Sequence, residues 1–244
     1  MPGRTIAGGD FFTPRIAAAD DGLELKKGEA HIWRVSLEMP DATAETLRQG
    51  LSADELERAA RFRFPSDRDH YIVARGVLRG ILAGYLNTKP EKIRFRYGPF
   101  GKPELAGDAR EMPRFSVSHS HGLALCAVAL ERKIGVDIEY MRRRVEAGDI
   151  ARQFLSRQDN SMLKKCPRHK RQKAFFMLWT RKEAYLKARG TGLAEDPAPC
   201  ETDRDAPWSL TDLRVERGYA AAVAVEGRCV DLLCRQWVSG APRI

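Results

Sequence analysis

The chain has 244 residues, 43% hydrophobic and 31% charged, enough to bury a substantial core as one large domain or two small ones. It holds no apolar run of about 18 residues, which excludes a membrane-spanning helix. The formal net charge of +9 leaves nucleic acid, an anionic membrane surface, or acidic proteins and small molecules as partners.

Residues 1–29 contain Asp10, Asp20 and Asp21 and no continuous apolar stretch. They read as a partly ordered leader rather than a secretory signal. Ser52, with Glu55 three residues on, has the capping-box pattern of a helix start. Pro65 interrupts this run, so a second helix is expected from about Asp67 to Tyr85, with Tyr71, Val77, Leu78, Ile81, Leu82 and Tyr85 as its apolar stripe. Arg61, Arg63, Arg75 and Arg79 are expected to be solvated on these helices. Ile93 to Tyr97 alternates as a short strand, and Tyr97-Gly-Pro-Phe-Gly-Lys-Pro103 is a turn-rich loop. Phe115 to Val117 and Leu123 to Leu130 read as strands joined by a turn around Ser120 to Gly122.

A possible internal duplication follows. Gly122-Leu-Ala-Leu-Cys-Ala-Val-Ala-Leu-Glu131 leads into Val136-Asp-Ile138, and Gly218-Tyr-Ala-Ala-Ala-Val-Ala-Val-Glu226 leads into Val230-Asp-Leu232. Each pair is expected to form consecutive antiparallel strands with a short connection, and each follows a helix-rich segment. The pattern predicts an α+β chain of two similar α/β halves, residues 30–131 and 132–244, with the site in the cleft between them. Five cysteines, Cys126, Cys166, Cys200, Cys229 and Cys234, are odd in number and lack paired spacing. Neither a disulfide framework nor a zinc site is expected, and the cytoplasm is the expected compartment. Cys126 reads as a small core residue.

Two acidic clusters suggest chemistry. In Ile134-Gly-Val-Asp-Ile-Glu139 the apolar residues alternate with Gly135, Asp137 and Glu139, the pattern of a half-buried strand. Asp137 and Glu139 then share one face. Their repulsion, on an element that disfavours Asp, calls for an offset such as a hard divalent cation. Trp179-Thr-Arg-Lys-Glu-Ala-Tyr-Leu-Lys-Ala-Arg-Gly-Thr-Gly-Leu193 reads as a helix ending at Gly190. Glu183 and Lys187, four residues apart, lie on one face, with Trp179 a turn earlier. The carboxylate suits a metal and the ammonium suits phosphate oxygens. Between the clusters, Lys164 to Lys173 carries six Lys or Arg residues and no aromatic one. It therefore reads as a solvated face, a loop, or a steering surface for an acidic partner, without a base-stacking platform. Neither a specific nucleic-acid partner nor a membrane is expected.

Together these segments resemble the surfactin-type 4′-phosphopantetheinyl transferases of the holo-acyl-carrier-protein synthase superfamily. The resemblance rests on Gly135 to Glu139 and on Trp179, Lys182, Glu183, Lys187, Gly190, Gly192 and Leu193. Phe100-Gly-Lys-Pro103 and Phe115-Ser-Val-Ser-His119 add weaker matches upstream. The family implies a pseudo-twofold pair of halves and transfer of phosphopantetheine from coenzyme A to a serine of an acidic acyl or peptidyl carrier protein. It implies Mg²⁺, or Mn²⁺, on Asp137, Glu139 and Glu183, with Lys187 on a phosphate oxygen. Coenzyme A contacts would come from Arg58, Gly101, Lys102, Pro103, Ser118, His119, Lys182 and Lys187. Because the two halves supply the whole site, a monomer is expected.

One departure stands out. Where the family has Phe-Phe-Ser-x-x-Glu, this chain has Phe154-Leu-Ser-Arg-Gln-Asp159, one methylene shorter at the proposed base. Asp159, Glu183 or a metal-bound water could each take the serine proton. Competing readings are a different Mg²⁺-dependent phosphoryl-transfer enzyme and a non-catalytic coenzyme A or carrier-binding module. The first lacks a Gly-x-x-x-x-Gly-Lys phosphate loop, and the second has no need of three clustered carboxylates.

Overall fold

The structure, a computed structural model, describes residues 23–108, 112–141, 147–191, 208–228 and 230–238. Most of the expected leader, together with Gly192, Leu193, Cys200 and Cys229, lies outside the described residues. In chain order the elements are β1 (Glu29–Ser36), α1 (Asp41–Gln49), α2 (Ala53–Ala60), α3 (Pro65–Tyr85), a 3₁₀ turn (Pro90–Lys92), β2 (Phe95–Tyr97), β3 (Pro103–Leu105), β4 (Arg114–Ser120) and β5 (Leu123–Ala129). They continue as β6 (Ile134–Tyr140), α4 (Ala147–Phe154), α5 (Arg157–Lys165), α6 (Arg168–Arg189), β7 (Trp208–Asp212), β8 (Tyr219–Glu226) and β9 (Asp231–Gln236).

Local chemistry sets the helix ends. Ser52 N donates to Glu55 Oε2 at 2.9 Å in the capping box that starts α2. Pro65 occupies the first turn of α3, where its missing N–H costs nothing. Gly190 closes α6 at φ 73°, a left-handed cap that glycine adopts without strain. Glu55 also accepts from Arg75 Nε and Arg79 Nε, each at 2.6 Å. Both arginines are buried, which corrects their expected solvation: one buried carboxylate binds α2 to α3 through two guanidinium groups. Arg61 and Arg63 are exposed, as expected.

Two sheets carry the core. The first has the order β4-β5-β1-β9, and the second β6-β8-β7. The expected antiparallel pairing of consecutive strands is not what forms. β5 pairs with β1 and β4, while β6 pairs with β8, so the short connection after β5 crosses between sheets. β9 likewise leaves β8 and joins β1 in parallel. The reason lies in burial: all seven residues of β5 are buried, so it needs cover on both faces. Leu125 and Ala127 pack with Ile32 against Ile134, Val136, Ile138 and Val223 of the second sheet. Cys126 and Val128 face Val77, Leu78 and Leu82 of α3. Beyond the second sheet, Ala222 and Ala224 of β8 meet Ala184 and Ala188 of α6. The layers therefore run α3, first sheet, second sheet, α6, a mixed α/β architecture with the motif helix on an outer face.

Candidate active site

Gly135 determines how closely α6 can approach. A Cβ placed there would lie 2.0 Å from Ala184 O and 2.4 Å from Ala188 N, so only glycine admits the helix backbone against β6. That approach brings the two acidic motifs together. As the alternation predicts, Ile134, Val136 and Ile138 turn into the core between the sheets, and Asp137 lies on the other face. That face is covered, and Asp137 is only 3% exposed. Lys187 Nζ donates to Asp137 Oδ1 at 2.6 Å and to Ser118 Oγ at 2.9 Å, and Ser118 Oγ donates to Asp137 Oδ1 at 2.8 Å. Asp137 Oδ2 is buried without a hydrogen-bond partner.

Glu183 sits one turn before Lys187. Burial, and then the charges of Asp137 and Glu139, raise its pKa above the ordinary 4.5, against the opposing pull of Lys187 and Lys182. The three carboxylates thus share one electrostatic neighbourhood. Among the described residues, no group of three or more His, Cys, Asp or Glu side chains is drawn together closely enough to grip a metal ion. The donor chemistry nevertheless fits a hard cation, since it is all oxygen and includes one buried, unpartnered carboxylate oxygen.

A row of serines holds this geometry. Alternate residues of β4 reach across to β6 without a backbone ladder. Ser116 Oγ accepts from Val136 N at 3.1 Å, and Ser118 bonds Asp137 as described above. Ser120 Oγ accepts from Tyr140 N and donates to Glu139 Oε2, both at 3.0 Å. Sequence reasoning picked out Ser118 and missed Ser116 and Ser120. The period of two in Ser116-Val-Ser-His-Ser120 was the available signal.

The other expected site residues divide. His119 follows Ser118, and desolvation, then the charges of Lys187 and His70, lower its pKa against the pull of Asp67. His121, at φ 55°, stacks on Tyr140 with ring centroids 4.6 Å apart. Arg58 is exposed, its guanidinium 5.6 Å from the Tyr71 ring centre. In the loop at Gly101, Gly101 N donates to Gly98 O at 2.9 Å, and Pro103 has no N–H. Lys102 Nζ donates to Ile134 O at 3.2 Å and Lys187 O at 2.5 Å, pinning the loop to β6 and α6. Burial, and then nearby Arg114, Lys133 and Lys187, lower its pKa to about 8, against the pull of Glu104.

Lys182 is not solvated. It is buried, and its ammonium donates to Phe154 O. Trp179 packs edge-on against Phe154 at 6.0 Å. These two motif residues therefore hold the end of α4 against α6. Asp159 is engaged at the start of α5, where its N–H donates to Ser156 Oγ at 3.0 Å and its Oδ2 accepts from that hydroxyl at 2.7 Å.

Two family descriptions match the chain. The 4′-phosphopantetheinyl transferase superfamily matches residues 133–226, and the N-terminal part of 4′-phosphopantetheinyl transferases matches residues 39–133. The 4′-phosphopantetheinyl transferase HetI of Nostoc sp. is 42% identical over 219 residues, 84% of this chain and 91% of that protein. The chain belongs to the 4′-phosphopantetheinyl transferase superfamily. A 4′-phosphopantetheinyl transferase of Bacillus subtilis is 30% identical over 165 residues, 67% of this chain and 71% of the relative. The Sfp transferase of the same species is 26% identical over 167 residues, with the same shares. This transferase carries the paired acidic motifs on β6 and α6, and the arrangement suits moving a phosphate-linked group: clustered carboxylates for a cation, and Lys187 as a resident positive charge beside them.

Proposed function

We propose that the enzyme moves the 4′-phosphopantetheine group of coenzyme A onto a serine hydroxyl of an acidic acyl or peptidyl carrier protein, converting it from the apo to the holo form. The observation that carries this reading is the meeting of Lys187 with Asp137 at 2.6 Å beside Glu183, made possible by Gly135. Asp137, Glu139 and Glu183 would hold Mg²⁺ or Mn²⁺, a group that neutralises charge on the diphosphate and its leaving phosphate. Asp137 supplies the unpartnered oxygen, and Ser120 orients Glu139. Lys187 is placed to bind a phosphate oxygen, and Ser118 and His119 line the same strand end for the coenzyme.

Glu183 is the favoured acceptor of the serine proton, because α6 carries it into the carboxylate cluster beside Asp137 and Glu139. Asp159 is occupied in capping α5. Further support comes from two long helices of 21 and 22 residues, each covering one sheet, and from family matches that meet at residue 133. These favour pseudo-twofold halves, 30–131 and 132–244, with the site in the cleft between them and the enzyme acting as a monomer. Free thiols at Cys126, Cys166 and Cys234 favour a cytoplasmic enzyme. Mass spectrometry of an apo carrier incubated with the enzyme, coenzyme A and Mg²⁺ tests the reading. One added phosphopantetheine on the serine is expected, and an unmodified carrier overturns it.

A further inference from the structure

A cavity lies at the far end of β4 and β6 from Ser120 and Glu139. It encloses about 90 Å³ between the β2–β3 hairpin, the starts of β4 and β6, and the end of α6. That space holds several waters or one tetrahedral oxyanion, well short of the roughly 300 Å³ of pockets that enclose whole small-molecule ligands. Its floor includes Leu105, Phe115, Ile134 and Ala188, and its cations are Lys102, Arg114, Lys133 and Arg189. Among the described residues, Glu104 is the one acid in the lining, and it pairs with Arg96 at 3.1 Å. Arg114 and Lys133 fall outside every motif that carries the family resemblance, and Arg189 is not among the matched positions of its motif.

Four cations gathered on a partly apolar cavity repel one another. The crowding is felt at Lys102, where Arg114 and Lys133 add to the lowering of the ammonium pKa. An ammonium has three donors, and two are taken by the carbonyls of Ile134 and Lys187. Such a lining stabilises a small anion and is stabilised by it.

We infer that this cavity is an anion site for a phosphate-class oxyanion, set apart from the carboxylate cluster and built on Arg114 and Lys133. The anion has two chemical sources: free inorganic phosphate, or a phosphomonoester of the coenzyme reaching in from the cleft. The second source rests on the donor proposed above.

The test is calorimetric titration of the whole chain with inorganic phosphate at fixed ionic strength. Saturable binding is expected, weakened at least tenfold in Arg114→Ser/Lys133→Ser and unchanged in Lys164→Ser/Lys165→Ser, which removes the same charge elsewhere. Lys133→Ser alone, at an exposed position, replaces the double variant should that fail to fold. No saturable binding, or equal loss in both double variants, overturns the site. Kinetics with coenzyme A and its 3′-dephospho form then assign the source. If the site takes the coenzyme's phosphate, the pocket variant abolishes any KM advantage of coenzyme A and phosphate competes with it. If it takes free phosphate, that advantage persists and phosphate does not compete. Phosphate binding without any carrier modification would count against the proposed function and leave this site standing.

Discussion

Lys187 Nζ and Asp137 Oδ1 stand 2.6 Å apart, joining the last turn of α6 to the middle of β6. This pair divides the acidic cluster into two kinds of carboxylate. Asp137 is buried but charge-compensated, with Ser118 as a further donor. Glu183 is crowded by Asp137 and Glu139, and its pKa is raised.

The two carboxylates therefore respond oppositely to neutralisation. Asp137→Asn takes away the charge that Lys187 and Ser118 address, and should destabilise the fold by about 1–3 kcal/mol. Glu183→Gln removes a repelled charge and should raise the melting temperature. Both should lower carrier modification at least about a hundredfold, because each removes a group placed for the transition state. Thermal unfolding beside a mass-spectrometric transfer assay checks the pair; matching shifts in melting temperature would contradict it.

The pH dependence of stability isolates Glu183. Its folded pKa lies above the ordinary 4.5, so the folded chain binds this proton more tightly than the unfolded chain. Stability from this group is thus present below 4.5 and lost as pH rises through the folded pKa. Buried His31, lowered from 6.5 to about 4 chiefly by desolvation, has the opposite trend: its stability holds above 6.5 and is lost as pH falls towards 4. Urea unfolding of wild type and Glu183→Gln between about pH 4 and 8 separates them. The advantage of the variant should grow as pH rises from 4.5, with the His31 trend common to both proteins. A gap independent of pH would show that Glu183 is unperturbed.

Much of this site was legible because its residues obey simple periods. Asp137 and Glu139 follow a strand's alternation, Glu183 and Lys187 a helix's four-residue repeat, and Gly190 marks a helix end. What escaped depends on contacts between distant elements. No local pattern says that Arg79 will meet Glu55 across two helices, or that Lys182 will reach the end of α4. Strand pairing escaped for a related reason. β5 and β6 look like a hairpin by spacing, but a strand apolar on both faces is covered better when its successor crosses to another sheet.

Gly135→Ala probes the approach that builds the site. Its Cβ would sit 2.0 Å from Ala184 O, a backbone atom of a packed helix that cannot simply rotate away. The expected loss is at least about 1–3 kcal/mol, the usual cost of overpacking, together with transfer activity as Lys187 and Glu183 are pushed from Asp137. Chemical denaturation checks the first effect and the transfer assay the second. Normal stability would mean that β6 and α6 are not in the contact described.

Asp159→Asn separates capping from catalysis. Asn keeps an acceptor for the Ser156 hydroxyl, so stability should change little, whereas Asp159→Ala should cost about 0.5–1.5 kcal/mol as that hydroxyl loses its acceptor. Turnover of Asp159→Asn should stay within tenfold of wild type. A loss of about 10²–10⁴, with unchanged melting temperature, would transfer the base role from Glu183 to Asp159. Asp159→Glu, which restores the usual family residue, should then match or exceed the wild-type rate.

The basic run between Lys164 and Lys173 forms the end of α5 and the start of α6, with Lys164, Lys165, Lys170 and Lys173 exposed. Arg171 differs from these, because its guanidinium donates to Lys164 O and Cys166 O at 3.2 Å and so ties off the end of α5. Steering of an acidic carrier should therefore be tested by changing the four lysines to Ser and leaving Arg171 in place. Added salt should slow association of the wild-type enzyme with its carrier, since screening acts over about 8 Å at 0.15 M. The lysine variant should show a flatter salt dependence and a lower association rate, with the dissociation rate and melting temperature little changed. Stopped-flow association across a salt series reads all of this. An unchanged slope would show that these lysines only solvate the helix ends and that the carrier approaches over another face.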